Sequence, residues 1–354
     1  MYDPNNWRSS IGQTRLQKRA ILLRRIREFF WQQGVMEVDT QLLSLASISD
    51  PHIEVLTTRA KCQGQEQTYY LQTSPEFAMK RLLCSGSGDI YQLGKVFRAE
   101  EQSRRHGIEF TMLEWYRLGL DQWQLMAEIE ALLVYICAGV FAGADVSNVD
   151  VSKNVSKNSA LRCEYKSYAE AFQTYVGINP FTATLANLQQ LAHKQTGFGL
   201  SESNRDTLLE LLFSTLIEPK IGLVQPCFIH SYPASQGAFA KVNAYTQADD
   251  HTQTDSRDQP TAARFELYWR GMELANGYDE LTDAAEQAKR MTQETQLREN
   301  AAKLARQTDH RLVAALEAGL PACSGVALGV DRLLMVLTDS QHIDEVVPFG
   351  ADQV

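Results

Sequence analysis

No two cysteines in this sequence form a Cys-x-x-Cys pair. The six, Cys62, Cys84, Cys137, Cys163, Cys227 and Cys323, are widely scattered. That spacing excludes a paired-cysteine zinc or redox motif and a small disulfide scaffold, and it suits reduced thiols in a cytoplasmic protein. The nucleotide-binding signatures GxxxxGK[ST] and strand-linked GxGxxG do not occur, nor does the metalloprotease HExxH. Basic residues are outnumbered, 34 Lys and Arg against 43 Asp and Glu for a net charge of −9. A surface built mainly to hold nucleic-acid phosphate is thereby disfavoured, while a local basic pocket stays open. The segment MYDPNNWRSS lacks the apolar region of a signal peptide. The longest mostly apolar run, Ala131 to Ala144, is shorter than the ~20 residues that cross a bilayer. No membrane association is expected.

What remains is the mixed pattern of an α+β protein. Apolar residues recur from Leu16 through Ala20, Leu23, Ile26 and Phe30, the helical period, with basic residues on the other faces and Gly34 as the stop. Val35 to Thr40 reads as a short strand. Ser74-Pro75-Glu76 opens a second helix through Leu83, with Ser74 as N-cap and Pro75 at the first helical position. A long helix is predicted near Asp121 to Cys137, and further helical segments over roughly 167–217 and 283–317. Two polar stretches, 145–159 and 247–260, read as mobile insertions.

Three stretches carry chemistry. In the first, Ile90–Phe97 and Phe110–Leu118 are strands joined by a long charged loop containing Arg104, Arg105 and His106. Alternation puts Phe110, Met112, Glu114 and Tyr116 on one face of the second strand, and Val96, Arg98 and Glu100 on one face of the first. Arginine grips phosphate or carboxylate in a two-pronged fashion, and a phenyl ring stacks on a flat heterocycle. An ordinary Arg98–Glu114 ion pair explains the same residues equally well. The second stretch, RFELYWRGMELANG, is a hairpin turning at Arg270-Gly271. A two-residue turn sets Tyr268 opposite Glu273 and Glu266 diagonally beside it, at the ~7–8 Å that lets two carboxylates share a divalent ion. A polar exposed face is the plainer reading of that feature. In the third, CSGVALGVDRLLMVL, a glycine-bearing strand meets a helix beginning near Asp331 with Arg332 in its first turn, a place that attracts anions.

Taken together, these stretches resemble the class II aminoacyl-tRNA synthetases. FRAEE…RRHGIEFTMLEWY is similar to their motif 2, GVALGVDR to motif 3, and GVMEVDT to motif 1. TSPEFAMKRLL, EFTMLEWY and MELANGYDELTDA look like the lysyl-tRNA synthetase branch, and the resemblance runs nearly the whole chain. It implies one catalytic domain over 1–354: an antiparallel sheet flanked by helices, a homodimer formed through motif 1, and ATP with Mg2+ used to make an aminoacyl adenylate.

The same resemblance implies roles for individual residues. Arg98 bridges the amino-acid carboxylate and the α-phosphate, and Arg332 clamps the γ-phosphate end with help from Arg104, Arg105 and His106. Phe110 stacks on adenine, Glu100 reads its amino group, and Ala99, Gly107, Leu267 and Gly329 lie beside the nucleotide. Glu266 and Glu273 correspond to magnesium carboxylates, Glu273 also to the substrate site. Glu114, Tyr116 and Glu280 look like the pocket for a side-chain ammonium, while Ser74, Glu76 and Asn276 hold the amino acid and Ala327 lies at its floor. A buried carboxylate needs a charged partner, which selects a lysine isomer.

Fifteen residues precede Leu16, too few for the five-stranded OB fold that binds anticodons in lysyl-tRNA synthetases. The sequence resembles, in this and in PASQGAFAK, a subgroup of synthetase paralogues that attach a lysine isomer to a lysine of elongation factor P. That protein is the expected partner, and tRNA is not. A tRNA-charging enzyme without an anticodon domain and a non-catalytic regulator are the competing readings; retention of Arg98, Arg332, Glu266 and Glu273 together disfavours the latter. The pattern is broken by Gln41 at the motif 1 proline, by Gly107-Ile108 in place of Asn-Pro, by Ala99 for asparagine and by Ala327 for glycine.

Overall fold

The computed structural model describes residues 7–9, 11–99, 102–141, 161–243, 259–301, 303, 306, 308–350 and 353. Glu100 and most of the two polar stretches, 145–159 and 247–260, lie outside the described residues. The chain groups into two compact units: 1–120, 127–159 and 282–354 form the first, and 121–126 with 160–281 the second.

In the first unit, helix α1 (Gln13–Gln32) leads into β1 (Met36–Glu37), which runs parallel to β5 (Ile90–Phe97). Strands β5 and β6 (Glu109–Leu118) form the long antiparallel hairpin, and β12 (Cys323–Gly329) pairs antiparallel with β6 on its other side. A small separate sheet holds β2 (Leu43–Ser44), β4 (Gln65–Leu71) and β3 (Thr57–Cys62) in that order. The apolar stripe of α1 explains its packing: Leu22, Ile26, Phe29 and Phe30 are buried, and the Phe30 ring lies 4.5 Å from Tyr91 and 5.3 Å from Trp115. Gly34 adopts φ +71° just past the helix, where the Val35 amide returns to the Phe30 carbonyl. The basic residues of α1 do not all face outward. Arg19 and Arg25 are buried, because Asp331, Thr111 and the Tyr135 carbonyl and ring receive them.

Two boundaries differ from the sequence reading. The strand expected over Val35–Thr40 is only two residues long, Met36 and Glu37 pairing with β5 and the Val38 amide adding a last bond to the Tyr91 carbonyl at 2.8 Å. Helix α2 (Glu76–Cys84) starts one residue late, yet the Ser74 hydroxyl still accepts the Glu76 amide at 3.0 Å. The helix after it runs Gln122–Phe141.

In the second unit, β7 (Glu164–Ser167) is parallel to β8 (Cys227–Pro233), followed by β10 (Thr261–Tyr268) and β11 (Glu273–Asp279), both antiparallel. The short β9 (Val242–Asn243) pairs with one end of β10. Helices Tyr168–Tyr175, Leu185–Thr196 and Arg205–Leu212 bury Phe172, Leu188 and Leu208 in a core that includes Ile229 and Tyr268. The β10–β11 turn is the two-residue turn read from the sequence: Arg270 and Gly271 have φ +53° and +64°, and Trp269 and Met272 exchange both backbone hydrogen bonds. Among the described residues no helix is long and apolar enough to cross a membrane.

Candidate active site

Two groups of side chains in the first unit converge on β6. The first is acidic. Glu114 is 2% exposed in the middle of the strand. It accepts the Ser74 hydroxyl at 2.6 Å and the Tyr116 hydroxyl at 2.9 Å, one on each carboxylate oxygen. Burial, reinforced by the neighbouring Glu76 carboxylate, pushes its carboxyl up to about 8, against the pull of those two donors and of Lys80. Glu76 sits at the start of α2 and is held by Lys80, one helical turn on, at 2.7 Å. Gln92 and Ala327 occupy the cross-strand positions on either side of Glu114, so the half-buried Ala327 methyl stands beside the carboxylate. Ser74, Glu76, Glu114, Tyr116 and Ala327 are thus brought together.

The second group is basic. Val96 pairs with Phe110, and the Arg98 guanidinium carbon lies 5.4 Å from the Phe110 ring centre. The Arg332 Nε donates to the Arg105 carbonyl at 3.4 Å. His106 is pushed down to about 4, first by burial and then by Arg332, Arg98 and Arg105, all close enough to act on it. The imidazole is therefore neutral near pH 7 and sits 2.7 Å from the Ser103 hydroxyl. The positive charge of this group comes from its arginines alone. A Cβ on Gly107 would lie 3.1 Å from the Glu109 carbonyl, so a glycine here keeps the loop closed over its own backbone. Gly329 caps helix Val330–Thr338 and packs under the Arg332 stem.

The residue following Arg98 is secured from a distance. The Ala99 amide donates to the Glu54 carbonyl at 2.9 Å. The Glu54 carboxylate receives Arg298, Lys303 and Arg306 at 2.9–3.1 Å, and Arg298 and Arg306 also bind carbonyls of residues 48–53. Those cations hold the Glu54 carboxyl down at about 2, overcoming its desolvation.

In the second unit Glu266 lies on β10, 7% exposed. One oxygen accepts the Tyr232 hydroxyl at 2.6 Å and the Tyr268 hydroxyl; the other accepts Arg264 and, at 3.3 Å, the Asn276 amide. Asn276 is its direct cross-strand neighbour, and Glu273 faces Tyr268, with a bulge between. The Asn276 Oδ1 is buried with no hydrogen-bond partner, an acceptor suited to an N–H donor from a substrate. Leu267 is fully buried between Phe228 and Ala275 in the ladder, so no part of it is exposed to a nucleotide, unlike the contact the resemblance implies. Glu280 is 1% exposed and pairs through its backbone with Ala240. Gly277 has a steric cause: a Cβ there would stand 2.3 Å from the Phe265 ring across the ladder.

A carboxylate ligates magnesium through an open lone pair. All four acceptor positions of Glu266 are taken by Tyr232, Tyr268, Arg264 and Asn276. In this arrangement the Glu266–Glu273 pair does not fit a bound magnesium ion.

Residues 5–353 match the class II tRNA synthetases (D, K and N). The chain belongs to this family. The elongation factor P–(R)-β-lysine ligase of Pseudoalteromonas translucida (strain TAC 125) is 46% identical over 350 residues, 98% of each chain. The proteins of the same description from Vibrio cholerae (serotype O1) and Haemophilus influenzae (strain PittGG) are 42% and 40% identical, again over 98% of both chains. The antiparallel β5–β6–β12 and β8–β10–β11 ladders with flanking helices agree with a class II synthetase domain.

Several residues of this class II site were not anticipated. Lys80 had a usable signal, its i+4 spacing from Glu76 on a helix. Tyr268 also had one, two residues beyond Glu266 on the same strand face. Arg264 had the same signal, two residues before Glu266 on β10, while Tyr232 had none, because its approach to Glu266 depends on the pairing of β8 with β10.

Proposed function

We propose that the protein activates (R)-β-lysine with ATP and transfers it to a lysine side chain of elongation factor P. The observation that carries the reading is Glu114, a fully buried carboxylate whose charge a substrate ammonium balances. The relatives' near-complete coverage supports the choice of substrate and acceptor. In the first step a substrate carboxylate oxygen attacks the α-phosphorus, and the bond to pyrophosphate breaks. Arg98 neutralises charge as it builds on the α-phosphate, Arg332 holds the terminal phosphates, and Phe110 stacks on adenine. In the second step the deprotonated amine of the acceptor lysine attacks the acyl carbon. AMP leaves, an amide forms, and the nitrogen gives up one further proton. Ser74 and Tyr116 hold Glu114 on the substrate ammonium, and Glu76 supplies a further carboxylate beside it.

The test is acceptor labelling. With ATP, magnesium and (R)-β-lysine, one lysine of elongation factor P should gain the mass of a lysyl group while tRNA stays uncharged. Efficient tRNA charging with no mass change on the factor would sink the proposal. The proposal includes a cytoplasmic protein and a homodimer through motif 1, where Trp31, Met36, Leu42 and Leu43 are exposed.

Ala327 bears on isomer choice. Its methyl flanks Glu114 in the ladder, and in this proposal it takes up volume beside an amine on the α-carbon and leaves room for one on the β-carbon. A single methyl changes discrimination by ~1–3 kcal/mol. Ala327→Gly should therefore raise kcat/KM for α-lysine roughly tenfold relative to β-lysine. An unchanged ratio would assign Ala327 to strand packing alone.

A further inference from the structure

Beyond the end of β12, a side chain continues the sheet. The last β6–β12 pair is Met112 with Gly329. One residue before Met112 on β6, the Thr111 amide donates at 2.7 Å to Asp331 Oδ2 rather than to a strand. Asp331 is 1% exposed, so its charge needs a partner, and α1 supplies one. Arg19 donates through Nη1 to Asp331 Oδ1 at 2.5 Å and through Nη2 to the Thr111 hydroxyl at 2.7 Å. Nη1 also reaches the Val346 carbonyl at 3.2 Å. Arg19, Asp331 and Thr111 thus close a three-membered ring of buried hydrogen bonds. Thr111 is the residue after Phe110, and Asp331 is the residue before Arg332. The segment containing Val346 meets the charged loop as well, through the Ile343 amide on the Arg104 carbonyl at 2.9 Å. Arg15, one turn before Arg19, pairs with Glu345 at 3.0 Å.

We propose that Arg19 is a positioning residue for ATP: it sets the distance between the adenine-stacking Phe110 and the phosphate-clamping Arg332. This rests on the reading of the site given under Proposed function. A guanidinium is suited to the task because its planar fork serves two acceptors at a fixed angle, which an ammonium does not. Arg19 itself touches no substrate in this scheme.

Three variants separate positioning from simple support of the fold. Arg19→Lys keeps the charge on Asp331 and loses the fork; Thr111→Val removes only the hydroxyl; Arg19→Gln removes the charge. ATP affinity is measured by calorimetry with ATP and magnesium alone. The KM values for ATP and for (R)-β-lysine come from pyrophosphate exchange, and folding is followed by circular dichroism. Small displacements of binding groups cost up to ~100-fold, so Arg19→Lys should weaken ATP binding ~10-fold and leave the (R)-β-lysine KM within about twofold. Thr111→Val should shift ATP in the same direction by ~3-fold, and it carries the test if the Arg19 variants fail to fold. Unchanged ATP affinity in a folded variant, or equal rises in both KM values, would overturn the proposal. A wild-type protein that binds no ATP would instead overturn the function on which it rests.

Discussion

Arg98→Ala should lower pyrophosphate exchange by roughly 10²–10³-fold, mainly in kcat. Arg98 lies over Phe110, and in the proposed mechanism its guanidinium meets charge that appears on the α-phosphate only as pyrophosphate leaves. Removing one such donor costs ~2.7–4 kcal/mol of transition-state stabilisation. ATP binding measured without turnover should change far less, because the ground-state phosphates keep Arg332. Arg98→Lys should recover only part of the rate, since an ammonium lacks the two-pronged geometry. Single-turnover adenylate formation decides the matter. A folded Arg98→Ala protein with wild-type adenylate formation would remove Arg98 from the chemistry.

Glu114→Gln should lower kcat/KM for (R)-β-lysine by roughly 30–3,000-fold. Deleting one member of a buried, hydrogen-bonded charge pair costs about 2–5 kcal/mol, at 1.4 kcal/mol per tenfold. The pH dependence identifies the same carboxyl. Its value in the free protein is about 8, raised by burial and by Glu76, and the substrate cation pairs with its ionised form. Affinity for (R)-β-lysine should therefore rise with pH up to about 8 and then level off, with proton release on binding at pH 7. The folding contribution has the opposite slope. Between the ordinary Glu value of ~4.3 and about 8, the folded protein holds a proton that the unfolded chain has lost. The stability contributed by Glu114 is fully present below ~4.3 and is lost as pH rises through about 8. Glu294, raised to about 7 by burial, adds a similar slope over a narrower range, so the difference between wild type and Glu114→Gln isolates Glu114. Denaturant midpoints from pH 4 to 9 give that difference; a pH-independent difference would contradict the assignment.

Glu114 was legible in the sequence because one carboxylate interrupts an otherwise apolar run, and strand alternation then named Tyr116 as its neighbour. The Arg270-Gly271 turn was legible too, since two residues between alternating strands leave few backbone choices. Local periodicity has no access to partners far along the chain. On α1 it named Ile26 and Phe30, which are buried, along with Leu16 and Ala20, which are exposed, and it put the basic residues on the other faces, while Arg19 goes to a carboxylate 312 residues away. The Tyr232 hydroxyl on Glu266 escaped notice for the same reason: Tyr232 comes from a strand separated from β10 by 27 residues, several of them strongly polar. Strand β8 itself, CFIHSYP, carries too little alternation to announce its length.

The Arg19–Asp331–Thr111 ring and the cations on Glu54 have a consequence for synthesis. Thr111 and Asp331 are 220 residues apart, and the groups that secure Ala99 are Arg298, Lys303 and Arg306. At ~5–20 residues per second, the strand carrying Phe110 and Glu114 waits roughly 10–40 s on the ribosome before its partner helix is made. Through that interval β6 has β5 beside it and an open edge on the side where β12 will pair. The nascent chain holds the parts of an ATP site without the spacing that defines one. In the proposed scheme, competence to bind the nucleotide arrives late, with the last tens of residues, and a chain released early would carry every motif 2 residue and no organised place for a phosphate.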